Sequence, residues 1–318
     1  MTSSVRQELT DDWDYHMRQG NFEAAWRCCD VTLESRVGKP CWHLPRHFQY
    51  IWNGSSLKGK KVLIRCYHGL GDAIQFIRYA PLVKAIAKEV IVWVQPKLIS
   101  LFKSVAGIDQ LLPLHDGTPE IDYDVDVEIM ELPHIFRTTI ATIPTAIPYL
   151  HVDPVRPVTN NKLAVGLVWR AGDWDENRSM PFSLLLLLKN IPGVQFFILQ
   201  PGALDAGWDQ QFGIFPGEFD MFQYARHIAG LDLLISIDSM PVHVAGALGV
   251  PVWTLLQAQH DWRWMNNRDD SPWYPGMRLF RQERQGEWEP VIAQVAAELR
   301  MTTERKMGRN NSALSTIS

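Results

Sequence analysis

A glycine-rich turn in the first half of the chain carries an acidic residue suited to proton transfer. The stretch CYHGLGDAIQFIRYAPL (66–82) follows an apolar run and leads into a helical pattern, with Asp72 at the expected helix start. Gly69 and Gly71 let the backbone approach a ligand closely, and a carboxylate there can take a proton from a hydroxyl group. Aspartate is also a frequent helix N-cap, so capping is the alternative interpretation of Asp72.

A second loop carries groups that suit a phosphate. In ISIDSMPVHVAGALGVPVWTLL (235–256) an apolar run ends at Asp238, and Ser239 can cap the helix that follows. The N–H groups and dipole of a helix start attract an anion such as a diphosphate. His243, about one turn into this helix, could donate to a phosphate oxygen, although a single histidine in an apolar helix is more often structural.

A third loop is rich in arginine. The stretch VWRAGDWDENRSMPF (168–182) contains Arg170, Arg178 and Ser179. A guanidinium group makes paired, charge-assisted hydrogen bonds to phosphate, although two arginines on one loop are by themselves typical of solvated surface.

Apolar runs with helical patterns between them predict the strands that position these loops. Such runs indicate parallel strands buried on both faces, and ligands of such sheets bind beyond the carboxyl ends of the strands. All three loops follow strands at that edge of two predicted sheets. The predicted strands are KVLIRC (61–66), VIVWV (90–94), DQLLPL (109–114) and YDVDVEIM (123–130) in the first series, and LAVGLVW (163–169), VQFFILQ (194–200), DLLISID (232–238), VPVWTLL (250–256) and MRLFRQ (277–282) in the second.

These patterns predict four segments. Residues 1–58 form a helical extension whose two helices, within 8–36, contain the tetratricopeptide-like stretch GNFEAAW. A single helical pair cannot bury its own faces, so we expect it to pack on the next domain rather than to form a peptide-binding array. Residues 59–157 and 158–300 each form a doubly wound α/β domain, and the polar tail 301–318 is expected to be disordered.

Composition excludes several classes of protein. The 318 residues are 46% hydrophobic and 21% charged, with a formal net charge of −4, so no global positive field attracts nucleic acid or an anionic membrane. The four cysteines show neither a CxxC pair nor zinc-ligand spacing, and we expect no metal, no cofactor and no nucleic-acid partner. Neither a signal peptide nor a transmembrane run is evident, so we expect a cytoplasmic protein.

Together the three loops resemble glycosyltransferase family 9, the ADP-heptose heptosyltransferase family, and especially its branch associated with tetratricopeptide repeats. The resemblance spans roughly residues 60–300 in the order of the family. The matching stretches are GLGDAIQFIRYAPL (69–82), VGLVW (165–169), NRSMPF (177–182), DSMPVHVAGALGVPVW (238–253) and DWRWMNNRDDSPWYPGMRLFRQ (261–282).

The resemblance implies a GT-B fold, with two Rossmann-like domains facing a cleft, and a nucleotide-diphosphate sugar, ADP-sugar favoured, held by the C-terminal domain. It also implies inversion at the anomeric carbon without a required metal. The acidic residue of the family's first glycine loop matches Asp72, and its Asp-x-x-x-x-His donor motif matches Asp238 and His243. Pro241 departs from the family pattern, because proline removes one N–H from the first turn of the helix. The phosphate-binding lysine of many heptosyltransferases has no counterpart in this sequence, and Arg178 can take its place.

We therefore predict an inverting glycosyltransferase that moves a sugar, heptose from ADP-heptose as first choice, to a hydroxyl of a glycan, lipopolysaccharide-type or protein acceptor. Asp72 is the predicted base. The predicted donor-binding residues are Arg170, Arg178, Ser179, Asp238, Ser239 and His243, and the predicted lining of the cleft is Gln75, Trp262 and Trp264.

Three alternatives stay open. A catalytically silent sugar-nucleotide-binding or scaffold protein, with N-terminal helices that contact a partner protein, would lock Asp72 into a helix cap without access to ligand. A sugar-nucleotide epimerase of the same fold would need further carboxylates in the cleft. For the tryptophan-rich loop 261–276, burial as a structural plug between the sheet and the C-terminal helix explains the aromatic residues as well as lining does.

Overall fold

The computed structural model describes residues 3–39, 41–46, 49–172 and 175–315. Two residues of the arginine-rich loop, 173 and 174, and the last three of the predicted tail, 316–318, lie outside the described ranges. The chain divides into two compact units. The first comprises Met1–His151 and Asp261–Pro275, and the second comprises Val152–His260 and Gly276–Ser318.

The first unit is built on a four-stranded parallel sheet in the order β3-β2-β1-β4. Its strands are β1 (Lys61–Arg65), β2 (Glu89–Val94), β3 (Gln110–Pro113) and β4 (Val125–Glu128). Its helices are α1 (Ser3–Arg18), α2 (Phe22–Arg36), α3 (Leu70–Phe76), α4 (Ala80–Ile86), α5 (Ile99–Phe102) and α6 (Leu132–Ile135), with 3₁₀ turns at Ile77–Tyr79, Pro96–Leu98, Ile129–Glu131, Ile140–Thr142 and Trp262–Trp264. The β-branched and leucine side chains of β1 are buried on both faces, as a central parallel strand requires.

The helices α1 and α2 form the predicted N-terminal hairpin. Gly20 joins them with a φ of 72°, a left-handed conformation that glycine adopts without strain, and the side chain of Asn21 caps α2. The hairpin packs on the rest of its unit, because Phe22 stacks on Trp273 with ring centroids 6.0 Å apart and Trp26 Nε1 donates to the carbonyl of Thr138 at 2.6 Å. The aromatic residues Phe22 and Trp26 of the hairpin are therefore buried against the rest of the first unit.

The second unit is built on a five-stranded parallel sheet in the order β6-β5-β7-β8-β9. Gly166 lies in β5, where an added Cβ would fall 2.6 Å from Leu231 Cδ1, so any larger residue there would force this leucine side chain to shift. The strands are β5 (Leu163–Val168), β6 (Val194–Ile198), β7 (Leu233–Ile237), β8 (Val252–Leu256) and β9 (Met277–Arg281). The helices are α7 (Phe182–Leu185), α8 (Met221–Ala229), α9 (Met240–Leu248) and α10 (Trp288–Ser315), with 3₁₀ turns at Glu176–Arg178 and Leu186–Leu188.

All nine predicted strands are confirmed, but the predicted boundaries differ in two places. Residues 261–275 fall in the first unit although we assigned them to the C-terminal domain, because Asn266 N–H donates to the carbonyl of Arg18 at 2.8 Å and the aromatic side chains pack on the same unit. The last helix does not end near residue 300. It continues to Ser315, where we expected a disordered tail, and Thr303 is still buried on its packed face.

Two further findings bear on the predicted class of protein. The four cysteines, Cys28, Cys29, Cys41 and Cys66, carry free thiols. Among the described residues, no helix is both long and apolar enough to cross a membrane.

Candidate functional site

Asp72 lies in the first turn of α3 and is held from two sides. Gly69 occupies the N-cap position, and its N–H donates to Asp72 Oδ2 at 2.9 Å in a capping box. Arg263 Nη2 donates to Asp72 Oδ1 at 2.6 Å. Asp72 thus caps the helix start from the third helical position rather than from the N-cap itself, and 22% of its side chain stays exposed.

Gly69 makes room for this carboxylate. Its φ of −65° is available to any residue, but an added Cβ would lie 3.1 Å from Asp72 Oδ2. Gly71 is the second residue of α3. In the structure the close approach at Gly69 is to Asp72 itself, and the approach of a ligand to this glycine pair stays a prediction.

Arg263 comes from the 3₁₀ turn Trp262–Trp264, far from Asp72 in sequence. Its side chain is 9% exposed, and its Nη1 lies 2.9 Å from Asp261 Oδ2. The guanidinium carbon lies 4.9 Å from the ring centroid of Trp262, a cation–π contact. One arginine thus joins two carboxylates, an arrangement that sequence reasoning missed because no local pattern links residues 72 and 263.

The three residues predicted to line a cleft are buried inside the first unit. Trp262 is 8% exposed, whereas Trp264 and Gln75 are 0% exposed. Trp262 packs on the rings of Trp13 and Phe76, with centroids 5.2 and 6.3 Å away. Such burial supports the alternative of a structural role for these aromatic residues, here against α1 and α3, and the lining of a cleft stays a prediction.

Gln75 has an unusual environment for an amide. Neither its Oε1 nor its Nε2 has a hydrogen-bond partner among the described residues, and both atoms are buried. An amide without partners costs free energy when buried. Gln75 lies three residues after Asp72 on α3, so a buried amide without hydrogen bonds lies on the same short helix as the predicted base.

A histidine and a glutamate that sequence reasoning missed lie at the same end of the sheet. His68 follows β1, and its Nδ1 lies 2.9 Å from Oε1 of Glu128, the last residue of β4. Glu128 is 2% exposed. The sequence held a signal for this pair, because β1 and β4 were both predicted and parallel strands place their carboxyl ends at one edge.

The pKa of His68 is raised by this environment. Burial acts first and lowers the pKa, but the contact with Glu128 and the negative charges of Glu128 and Asp72 outweigh burial and the repulsion by Arg263. The protonated imidazole is therefore favoured more than in an exposed histidine.

In the second unit, β7 leads directly into the predicted phosphate-binding helix start. Asp238 follows β7 and is 6% exposed, and its backbone carbonyl accepts a hydrogen bond from Arg178 Nη1 at 3.1 Å. Ser239 occupies the N-cap position of α9, but its hydroxyl donates to the carbonyl of Ile237 at 3.3 Å. The predicted N-cap position of Ser239 is therefore confirmed, but its hydroxyl binds no helix N–H.

His243 lies within α9 and is 4% exposed. Its neighbours in the helix, from Pro241 to Ala247, are also buried. Pro241 removes one N–H from the first turn, as expected from the sequence. The predicted hydrogen bond from His243 to a phosphate stays a prediction.

The arginine-rich loop borders a pocket of about 330 Å³ in the second unit. Arg170 and Ser179 both line it, with Glu176 between them in sequence. Ser179 Oγ accepts the N–H of Ala171 at 3.0 Å, which closes the loop, and Arg170 Nη1 donates to the carbonyl of Asp205 at 3.0 Å. The described residues of the loop are thus bound to each other and to Asp205.

Two of the predicted donor residues, Arg178 and Asp238, are in contact in this unit. Arg178 lies in the loop that borders the pocket and reaches the helix start through the carbonyl of Asp238. Gln257, which follows β8 and which sequence reasoning missed, donates to Asp175 Oδ2 at 2.6 Å on the same loop. Within the described ranges, no group of three or more His, Cys, Asp or Glu side chains is arranged to hold a metal ion.

Comparisons with known proteins agree with the fold. No family model matches the chain. Protein FlbA of Caulobacter vibrioides is 27% identical over 288 residues, which cover 78% of this chain and 48% of FlbA, so the chain spans about half the length of this relative.

Two solved structures are similar over most of their length. The glycosyl transferase family 9 protein of Veillonella parvula superposes with a TM-score of 0.57 at 12% identity, covering 78% of this chain and 99% of that one. The ADP-heptose lps heptosyltransferase II of E. coli superposes with a TM-score of 0.52 at 14% identity, covering 77% of this chain and 99% of that one. The two parallel-sheet units therefore match the fold of GT-B-like heptosyltransferases.

Proposed function

We propose that this chain is an inverting glycosyltransferase that moves a sugar from a nucleotide-diphosphate donor to a hydroxyl of a glycan, lipopolysaccharide-type or protein acceptor. The observation that carries the proposal is Asp72, a partly exposed carboxylate whose two oxygens are fixed by Gly69 and Arg263. A base held in one orientation is what deprotonation of an attacking hydroxyl requires.

Inversion also requires positive groups at the leaving diphosphate. We assign these to the second unit, where Arg178 and Arg170 lie on one loop and the first turn of α9 offers backbone N–H groups. Ser179, Asp238, Ser239 and His243 complete the proposed donor site. Asp238 is expected to fix the loop or bind ribose, because a carboxylate repels phosphate.

ADP-heptose is the proposed donor. The fold is shared with a heptosyltransferase whose name contains ADP-heptose, and the sequence motifs resemble the same family. The stretch GNFEAAW within the N-terminal hairpin supports a place in the branch associated with tetratricopeptide repeats.

A catalytically silent sugar-nucleotide-binding protein is the alternative, and one observation favours it. Both oxygens of Asp72 already accept hydrogen bonds, which is also what a purely structural aspartate would show. The exposed fraction of its side chain and the second lone pair of each oxygen leave room for an acceptor hydroxyl. Turnover separates the two proposals.

A ligand panel on the full-length chain tests the donor. ADP-heptose should raise the melting temperature more than UDP-, GDP- or dTDP-sugars, because a ligand at a hundred times its Kd stabilises by about 2.7 kcal/mol. Arg178→Gln should weaken ADP-heptose binding about tenfold or more, whereas the control Arg300→Gln, on the exposed side of α10, should not. Release of ADP in the presence of a glycan or protein acceptor is the expected activity. Binding of no nucleotide sugar by the folded chain would remove the proposal, and binding without turnover on any acceptor would favour the silent protein.

A further inference from the structure

The helix α3, which carries Asp72, is bound near both of its ends by one loop, residues 261–275. At the start of the helix, Arg263 of the loop donates to Asp72 Oδ1 at 2.6 Å. Just after its end, Arg78 donates from Nη1 to the backbone carbonyl of Trp273 in the loop, also at 2.6 Å. All of these residues belong to the first unit. The helical segment and the loop thus contribute one arginine each to the contact between them.

Arg78 is 3% exposed, and neutral oxygens surround its charge. Among the described residues, its hydrogen-bond partners are three backbone carbonyls and one hydroxyl. They are the carbonyls of Gln75 at 2.7 Å, Trp273 at 2.6 Å and Pro144 at 3.4 Å, and Tyr149 Oη at 3.0 Å. A buried guanidinium group is costly to leave unsatisfied, so its place is set by the acceptors around it.

The acceptors of Arg78 come from three separate segments of the first unit. Gln75 lies in the last turn of α3, Tyr149 lies in the segment that follows the 3₁₀ turn Ile140–Thr142, and Trp273 lies in the loop 261–275. A guanidinium group presents its N–H donors in a rigid planar fork, so it can fix several acceptors relative to one another. The ammonium group of a lysine is a single point on a flexible stem and cannot span the same acceptors.

The aromatic rings that lie between the two arginines pack on one another. The ring of Phe76, the last residue of α3, stacks on Trp262 with centroids 6.3 Å apart and meets Trp273 edge-on at 5.7 Å. Trp262 and Trp273 also meet edge-on, at 6.2 Å. The guanidinium carbon of Arg263 lies 4.9 Å from the Trp262 ring centroid. Because close-packed interiors transmit strain, a displacement of Trp273 should reach the arginine that binds Asp72.

We propose that Arg78 is a positioning residue of the candidate base: by binding the carbonyl of Trp273, it holds the loop 261–275 in the place from which Arg263 orients Asp72. Arg78 acts through the loop and is not itself a catalytic residue. Its effect on turnover rests on the proposed function, whereas its hold on the loop can be measured without any substrate.

The rate of ADP release from ADP-heptose, with water as the acceptor, tests the effect on the base. The full-length wild type is compared with Arg78→Lys and with the control Arg137→Lys, the same change at an arginine that binds Asp30 in the same unit. Arg78→Lys should lower the rate by about ten- to a hundredfold with the Kd of ADP-heptose unchanged, because a misplacement of about 1 Å can cost on the order of a hundredfold. Arg137→Lys should keep the wild-type rate.

A double-mutant cycle separates positioning from general stabilisation. Arg263→Gln removes the charged contact with Asp72. In that background Arg78→Lys should lower the rate by less than about threefold further, because both changes act through the same contact. Independent losses would multiply, and multiplied losses in folded proteins would overturn the positioning role. The melting temperature of each variant establishes that it is folded at the temperature of the assay.

Limited digestion with trypsin checks the hold on the loop without substrate. Arg263 and Arg268 are the trypsin sites of the loop, and their side chains are 9% and 24% exposed. Cleavage at these sites should be about tenfold faster in Arg78→Lys than in the wild type, because proteolysis follows the population of locally opened chain. In Arg137→Lys it should be as slow as in the wild type. Loop cleavage that is no faster in a folded Arg78→Lys protein would overturn the proposal, whatever the rates show.

The outcomes separate this inference from the proposed function. A wild type that neither binds ADP-heptose nor releases ADP contradicts the proposed function, and the digestion then decides whether Arg78 holds the loop. A wild type that releases ADP, with a folded Arg78→Lys variant of equal rate, overturns the positioning role alone.

A milder variant serves if Arg78→Lys does not fold. Tyr149→Phe removes the hydroxyl that accepts from Arg78 Nη2 at 3.0 Å and keeps the ring. With one of the partners of Arg78 lost, we expect ADP release about threefold slower and faster cleavage of the loop. A folded Tyr149→Phe protein with the wild-type rate and wild-type cleavage would then overturn the proposal.

Discussion

Replacing Asp72 with asparagine separates the catalytic role of this residue from its structural role. The carboxylate accepts from two donors, Gly69 N–H at 2.9 Å and Arg263 Nη2 at 2.6 Å. An asparagine of nearly the same shape has only one acceptor oxygen, and its amide nitrogen repels a second donor. The variant therefore keeps one of the two hydrogen bonds.

The cost to folding follows from what Arg263 loses. Its side chain is 9% exposed, and its remaining carboxylate partner is Asp261 at 2.9 Å. A hydrogen bond to a charged group is worth about 1.5–3 kcal/mol, and the surviving partner puts the loss near the lower bound, at about 1.5–2 kcal/mol. For a domain of this size class, the melting temperature should fall by roughly 3–8 °C.

The cost to catalysis should be far larger. Loss of a general base lowers turnover by about 10²–10⁴-fold, whereas the Kd of the donor should stay nearly unchanged because the proposed donor residues belong to the second unit. ADP release, titration calorimetry with ADP-heptose and thermal melting measure the three quantities on one preparation.

Asp261→Asn is the matched control for this prediction. It makes the same chemical change on the other carboxylate that contacts Arg263, so it should lower stability by a similar amount and turnover by no more than about threefold. A folded Asp72→Asn protein that retains more than about a tenth of wild-type turnover would refute the base assignment. Equal losses of turnover in the two variants would mean that only the position of Arg263 matters.

Two other predictions follow from the same unit. Gly69→Ala should keep the fold, because the φ of residue 69 is ordinary. It should lower turnover, because the new Cβ would lie 3.1 Å from Asp72 Oδ2 and would push the carboxylate away. In the control Gly276→Ala the nearest atom lies 3.8 Å from the new Cβ, so turnover should be unchanged. Burial raises the pKa of Glu131 from 4.5 to about 7, so the folded state binds more protons than the unfolded state between these values, and stability falls as pH rises through this window. Glu131→Gln should remove that loss of stability. The melting temperature of the variant minus that of the wild type should therefore be larger at pH 8 than at pH 5. A difference that does not change with pH would contradict the raised pKa of Glu131.

The first-unit site shows how much of a site local pattern can predict. The position of Asp72 at a helix start beyond a buried strand follows from the apolar run 61–66, the glycines and the helical spacing after them. Its partner Arg263 does not, because the contact joins residues 191 positions apart and depends on how the loop 261–275 folds back on α3. For the same reason this loop falls in the first unit, whereas the sequence pattern placed it in the C-terminal domain.

In the second unit the sequence placed two candidate residues that the structure brings into contact, because they follow neighbouring strands of one sheet. Arg178 and Asp238 come from loops after β5 and β7, which pair directly, and parallel pairing brings their carboxyl ends together. The detail that failed was the hydrogen bond of Ser239. A hydroxyl at an N-cap position can bind either a helix N–H or a nearby carbonyl, and which of the two it binds depends on the local backbone geometry.

The sequence by itself determined the two parallel sheets and the edge at which each candidate site lies, because strand periodicity and glycine turns are local properties of the chain. Tertiary structure alone decided the charge environment of Asp72 and the pairing of His68 with Glu128, along with the burial of Gln75, Trp262 and Trp264. Hydrogen bonds and burial between residues far apart in the chain depend on the packing of whole elements, which no window of sequence contains.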